Sequence, residues 1–224
     1  MAITSKKRFK TKFSKIFIMK DLIIIGAGNV GGFLALNQYL FGKSYNIIGF
    51  LDDDINKTGK DFWKIPVIGK IDDINKFRDT SVAIGIANPK IKKSILEKIG
   101  DDFDFPNFIS KNAWISNMVT IGKGVIIYPN VSINHESSID DFVVINMNCA
   151  IGHNSTIKKC CSLAPGVNFA GFTYVDSFVE IGIGVSTVQQ IRIGEGSIIG
   201  GQTILVKDVP DGATVVGNPG KIIR

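Results

Sequence analysis

The chain has 224 residues, with 26 Lys and Arg against 20 Asp and Glu, two His and three Cys, a length for one large domain or two small ones. Ordinary apolar content (45%) and moderate charge (21%) exclude global disorder, and no apolar run approaches the ~18 residues that span a bilayer. Cys149, Cys160 and Cys161 are odd in number and lack zinc-ribbon spacing, which argues against a disulfide framework or a structural zinc site and fits a reducing, cytoplasmic setting.

The net charge of +6 invites a nucleic-acid or membrane reading, but its distribution argues otherwise. Lys6, Lys7, Arg8, Lys10, Lys12 and Lys15 carry all of it in residues 1–18, with no acid among them. Residues 19–224 hold 20 charges of each sign. The apolar stretch Ile16–Met19 is too short for a signal peptide. No aromatic–basic interleaving or helix-turn-helix pattern follows, so no nucleic-acid partner is expected. Residues 1–19 are read as a basic extension, or as residues upstream of a start at Met19.

Residues 20–104 alternate strand-like and helix-like stretches. Asp21–Ile25 is a continuous apolar run, as a parallel strand covered on both faces requires. Gly26-Ala-Gly-Asn-Val-Gly31 follows, with a helix expected over Phe33–Leu40. Asn46–Leu51 and Ser81–Ile86 read as further strands, and Pro89–Ile99 as a second helix. This is the grammar of a small, Rossmann-like, doubly wound parallel sheet.

Residues 105–224 change period. Apolar side chains recur every six positions from Ile109 to Leu205, 17 positions in unbroken phase, of which only Thr187 is not apolar. Four residues after many of them sits a second, mostly small residue, such as Val125, Cys149, Ser155 or Val185. A period of six is the hexapeptide repeat of a parallel β-helix. Three hexads make an 18-residue triangular coil, and coils stack at about 4.8 Å. The open ends of such a solenoid need caps. The first domain is expected to cover the N-terminal end, and Val209–Gly220, which breaks phase, the other. Asn130-Val-Ser132 and Asn154-Ser-Thr156 match glycosylation sequons by chance inside regular coils; Trp63 and Trp114 read as packing or interface residues.

His135 and His153, the only histidines, are 18 residues apart, each two positions after a periodic Ile, and so must stack on one face. Either they are surface imidazoles in accidental register, or one or both act as a base, the natural role for a group titrating near neutrality. A catalytic zinc generally needs three protein ligands, and two His per chain, even with Glu136, do not suggest one. The glycine loop follows a strand and opens a helix, with Asp52 and Asp53 ending the next strand. Its N–H groups can hold a diphosphate, and the carboxylates a ribose hydroxyl or base edge. A domain of about 85 residues is half a dinucleotide fold, so a single nucleotide, as in a nucleotide-sugar, fits better. A glycine-rich turn without ligand is the alternative.

Residues 20–224 resemble the bacterial sugar acetyltransferases that include sialic acid O-acetyltransferases and the N-acetyltransferases of UDP- or dTDP-4-amino-4,6-dideoxy sugars. The resembling residues are Ile25-Gly-Ala-Gly28, Phe50-Leu-Asp-Asp53, Ala83-Ile-Gly-Ile-Ala-Asn88, Ala150-Ile-Gly-His153, Ala164-Pro-Gly166, Gly200-Gly-Gln-Thr203 and Val216-Gly-Asn-Pro219. The resemblance implies a left-handed β-helix, a homotrimer, and acetyl-CoA in a groove between subunits. It implies His153 as general base; Asn154, which can orient an imidazole, and His135, from the stacked pair, are the further catalytic candidates. The groove would be lined by Ser162, Gly171, Gly182, Gly200, Gly217, Asn218 and Pro219, and the nucleotide held by Gly26, Gly28, Asn29, Asp52, Asp53 and Asn88. Asn154 stands where the family often has an acid, and Glu136, one coil away, is the carboxylate available to compensate. In some members a second His falls near Ser162, and others have Gly-His where this chain has Asn29-Val30. The leading expectation is N-acetylation of a nucleotide-linked amino sugar; the alternatives are O-acetylation of a sugar hydroxyl, or a non-catalytic β-helix scaffold with a nucleotide-sensing domain.

Overall fold

The computed structural model describes residues 19–100 and 102–224, so the basic leader of residues 1–18 lies outside the described residues. The first domain is built on one sheet. Its elements are β1 (Lys20–Ile25), α1 (Asn29–Leu36), β2 (Tyr45–Leu51), β3 (Asp61–Phe62), β4 (Ile65–Gly69), β5 (Ser81–Ile84) and α2 (Pro89–Ile99). The strand order is β3–β4–β2–β1–β5, parallel except for the β3–β4 hairpin. Leu22 to Ile25 of β1 are fully buried at its centre, which is what an unbroken apolar run demands. The first helix starts earlier than expected and ends at Leu36, where the backbone and side-chain N–H groups of Asn37 both donate to Phe33 O. The hairpin carries no turn signature, since its turn is Trp63-Lys64, with φ of 53° and 65°, where Asn-Gly is the usual pair. Packing accounts for it: the Trp63 ring lies over Gly32, where a Cβ would come within 2.4 Å of it, and sits edge-on to Phe50.

From Phe108 the chain winds a left-handed parallel β-helix of two-residue strands in three sheets of eight, six and five strands. The register is 18 residues until the last coil, where Ile198 pairs with Thr214 and Ile199 with Val215: Ile115, Ile133, Ile151 and Phe169 pair in sequence, as do Ile121, Ile139, Ile157 and Val175. The periodic residues and the small residues four positions on fill the prism. Thr187 is accommodated by its hydroxyl, which meets Thr173 Oγ1 at 3.0 Å and accepts from Ala170 N–H at 3.1 Å. Every sixth residue from Gly124 to Gln202 turns a vertex in the left-handed region, with φ between 54° and 74°. Most of these are not glycine, and each such residue costs on the order of 1 kcal/mol. The final strand segment Thr214–Val216 extends the eight-stranded sheet, and Lys221–Ile222 folds back antiparallel on it.

The N-terminal end differs from expectation. The first domain lies against the eight-stranded face rather than over the open end. Phe108, Ile126, Tyr128 and Val144 share a core with β1, α1 and β2, whereas Ile109, Ile115 and Ile121 inside the first coil stay half-buried. The reason lies in the outward-facing strand positions. Over its first three strands this face presents Phe108, Ile126 and Val144, followed by Ser162 and Glu180, while the other faces present residues such as Ser132, Ser138 and Thr156. An apolar face must be covered.

Lys92 of α2 is buried in that junction. Its ammonium donates to Phe142 O (2.8 Å), Cys161 O (3.2 Å) and Ser162 Oγ (3.1 Å), and Ser162 Oγ donates to Ala87 O. Burial pushes the Lys92 pKa from 10.5 down to about 8. Between those values the unfolded chain keeps a proton the folded chain has released, so this group's contribution to stability rises with pH. The difference in unfolding free energy between wild type and Lys92→Met, from denaturant melts between pH 8 and 10.5, is expected to grow by about 3 kcal/mol. The difference isolates Lys92 from Cys161, whose thiol burial pushes up to about 12 and which acts in the opposite sense. A flat difference would contradict the burial effect.

Candidate functional site

The glycine loop, α2 and the ends of β1, β2 and β5 border an open cavity of about 720 Å³. Of the residues expected to hold a nucleotide, Gly26, Gly28, Asn29, Asp52 and Asp53 line it. Gly26 has φ +98°, a left-handed conformation that lets the loop leave β1 sharply. Gly31 lies so close beneath that a Cβ would sit 2.1 Å from Gly26 O. Gly28, the residue before α1, has open space where a Cβ would go.

Asp52 folds back on the loop. Its carboxylate accepts from Ala27 N–H (2.8 Å), Asp54 N–H (3.0 Å) and the Lys57 ammonium (2.8 Å). Burial alone would raise its pKa; Lys57 and the two N–H groups outweigh that and hold it below the usual carboxylate range. Asp53 accepts from Ile71 N–H at 2.9 Å and faces Lys98 at 3.6 Å. Asn88 does not line the cavity. Its side-chain oxygen accepts from Ile91 N–H at 3.0 Å, so it serves as the cap of α2. The cavity also holds Lys57, Lys90, Ser94 and Lys98, which the sequence reading passed over. The available signal was the spacing of Lys90, Ser94 and Lys98, four apart on one face of α2.

The two histidines stack as the 18-residue register requires, with ring centroids 5.3 Å apart and planes 8° from parallel. They stand at the vertex between the six- and five-stranded faces, since Ala150–Ile151 belongs to one and Thr156–Ile157 to the other. His153 is half-buried. Its Nδ1 lies 2.9 Å from Asn154 Oδ1, and an acceptor at that position favours, in the neutral ring, the tautomer with the proton on Nδ1 and Nε2 free. Asn154 Nδ2 donates to Glu136 Oε2 at 2.6 Å. Phe172 meets the ring edge-on at 5.1 Å. His135 is exposed, with Nδ1 2.8 Å from Asn134 Oδ1.

The candidate groove residues fall on different parts of the prism. Gly171 packs on His153, where a Cβ would come 2.7 Å from Nε2. Gly182 and Gly200 follow strands of the eight-stranded face, one coil apart, and Gly217, Asn218 and Pro219 lie exposed in the C-terminal turn. Ser162 lies at the edge of a small recess of about 130 Å³ beside Ala87, Asn146 and Glu180, away from the His153 vertex. It is buried beneath the first domain, bonded to Lys92 and Ala87, because it takes an outward position on the covered face. His153 does not line the large cavity. The first domain covers one face of the prism, and His153 occupies the vertex opposite that face. Among the described residues no group of three His, Cys, Asp or Glu could hold a metal ion, and no helix is long and apolar enough to cross a membrane.

Fold and site together define a left-handed β-helix protein with a small Rossmann-like domain on one face. Residues 21–99 match the family described as the PglD N-terminal domain. The chain superposes on the acetyltransferase domain of PglB from Neisseria gonorrhoeae, solved with acetyl coenzyme A, at a TM-score of 0.83 and 28% identity, covering 92% of this chain and all of that one. It shares its fold with perosamine N-acetyltransferase from Caulobacter crescentus, at TM-score 0.83 and 24% identity, covering 92% and 98%. A galactoside O-acetyltransferase from Lactococcus lactis is 28% identical over 67% of this chain and 73% of its own length. The chain spans less than half the length of several other curated relatives that it matches. The resemblance read from the motifs is thus met in the first domain and in the fold of the whole.

Gly171→Ala tests the packing around His153. The new methyl must displace the ring from Asn154, because Nε2 lies where it would go. The expected result is loss of the His153–Asn154 hydrogen bond in the variant's crystal structure, at a stability cost of about 1–2 kcal/mol. An unmoved ring would show that the turn can yield instead.

Proposed function

We propose that the chain is an acetyl-CoA-dependent N-acetyltransferase acting on the amino group of a nucleotide-linked (UDP or dTDP) 4-amino-4,6-dideoxy sugar, working in the cytoplasm as a homotrimer. The observation that carries this reading is the oriented His153 ring, with Nδ1–H committed to Asn154 and Nε2 left with a lone pair. The PglD-type first domain and the acetyl coenzyme A complex of the PglB domain supply its context.

In this reading the cavity holds the nucleotide. The backbone N–H groups at the start of α1 and the Lys90 ammonium face the diphosphate. The sugar then extends past Ala87 into a recess of about 130 Å³ bounded by Asn146, Ala164 and Glu180. His153 of the same chain is on the far vertex, so the base comes from a second copy. Apolar side chains left exposed on the β-helix, among them Trp114, Met118, Phe172 and Ile183, are the kind of surface that such packing buries. Acetyl-CoA runs between the copies along Gly171, Gly182, Gly200 and the Gly217-Asn218-Pro219 turn.

The amine attacks the thioester carbonyl, forming the C–N bond. His153 Nε2 takes the proton the amine sheds, backbone N–H groups hold the oxyanion, and collapse expels the coenzyme A thiolate, which receives the proton from the imidazolium. Alignment of the two substrates supplies much of the acceleration. O-acetylation of a sugar hydroxyl is the second reading, favoured by the Lactococcus lactis relative.

Thiol release from acetyl-CoA, with UDP- and dTDP-amino sugars and free sialic acid as acceptors, separates these readings. Acetylation of sialic acid alone would transfer the assignment to O-acetylation, and no thiol release with any acceptor would favour a scaffold. His153→Ala is expected to keep nucleotide-sugar binding and to lose at least about 100-fold in kcat. Gly28→Asp sets a carboxylate into open space at the start of α1, so it should leave the thermal midpoint intact and abolish nucleotide-sugar binding. Co-expression of the two variants should restore part of the activity if the site is shared between copies. No recovery in mixed oligomers would place the whole site in one chain.

A further inference from the structure

We propose that Glu136 is a positioning residue for His153, acting through the Asn154 side chain from one coil away. The proposal rests on His153 as the base, but its structural half is measurable without turnover. An asparagine amide is two-faced. With Oδ1 toward the imidazole, Nδ1 carries the proton and Nε2 is free to accept one. With the amide reversed, its NH₂ donates to Nδ1 and the ring proton moves to Nε2, which then cannot act as a base. Asparagine alone accommodates both arrangements, and imidazole in water favours the proton on Nε2.

Glu136 removes the ambiguity. Its carboxylate is acceptor-only and lies 2.6 Å from Asn154 Nδ2, so reversal would set the amide oxygen against a carboxylate. The pairing follows from the fold. Residues 136 and 154 are 18 apart, one above the other on the same vertex, with nearly equal φ of 56° and 54°. Among the described residues Glu136 has Asn154 as its hydrogen-bond partner and no ion pair. His135 provides an internal comparison. Asn134 Oδ1 accepts both the backbone N–H and Nδ1 of His135 at 2.8 Å, so the backbone orients that amide and no carboxylate is involved.

With two histidines in the chain, ¹⁵N-histidine labelling of the full-length protein gives one resolved ring for each. The wild type is expected to show the proton on Nδ1 of His153. In Glu136→Ala the His153 signals should shift toward the Nε2–H form while His135 stays unchanged, and kcat should fall about tenfold with the KM for acetyl-CoA unaltered. Glu136→Gln, whose amide can donate as well as accept, no longer forbids reversal and should shift the tautomer in the same direction as Glu136→Ala. Combining Glu136→Ala with Asn154→Asp should restore both readouts, because a carboxylate at 154 accepts from Nδ1–H without help. An unchanged His153 tautomer in Glu136→Ala overturns the proposal, as does a shifted tautomer with wild-type kcat. A wild type inactive on every acceptor would instead overturn the proposed reaction, and the tautomer alone would then decide the role of Glu136.

Discussion

Stacking at an interval of 18 residues is the constraint from which the second domain follows. Strands of two residues hold too few hydrogen bonds to stand alone, so each depends on an equivalent strand one coil before and one after. That dependence fixes which side chains meet. It layers Ile133, Ile151 and Phe169 in the interior, sets His135 against His153 at the surface, and brings Glu136 to Asn154. Chemistry at this vertex is therefore written in residues far apart in sequence. A shift of register by even one residue would turn the interior outward and scatter the histidine environment together.

The two domains are joined by a polar pin in an apolar seam. Phe108, Ile126 and Val144 supply the apolar area, with Phe33 stacked on Tyr128 at 4.4 Å along one margin. Lys92 supplies direction, because an ammonium with three bonded acceptors is satisfied in one placement of α2 and in few others. Through Ser162 that placement reaches Ala87, which lines both the large cavity and the smaller recess. The cavity wall is thus referenced to the β-helix, and in an oligomer built on the β-helix it is referenced to every other copy.

The sequence was most legible where a side chain repeats. The periodic Ile positions announce the β-helix, and the 18-residue interval announces the histidine stack before any coordinates. Legibility fell where the deciding contact is tertiary. Asn88 looks like a ligand-facing polar residue after β5 but spends its oxygen on Ile91 N–H. Ser162 sits on the outward track but faces the covered side of the prism. Trp63-Lys64 makes a tight turn with no turn residue because the ring has Gly32 to rest on. The covered face was encoded in Phe108, Ile126 and Val144, yet a period of 18 in outward-facing residues is hard to see beside a period of six in the core.

The left-handed vertex residues have a consequence for how such a protein can change. Glu136, Asn154, Phe172 and Gln190 adopt the same backbone conformation at the same vertex, although they differ in charge, size and polarity. The conformational penalty is set by the turn and varies little among side chains without β-branching, with asparagine somewhat favoured. One side chain can therefore replace another along this edge without altering what the fold costs to form. The edge acts as a ladder of exchangeable rungs at a spacing of about 4.8 Å, whose side chains can vary while the scaffold beneath stays the same.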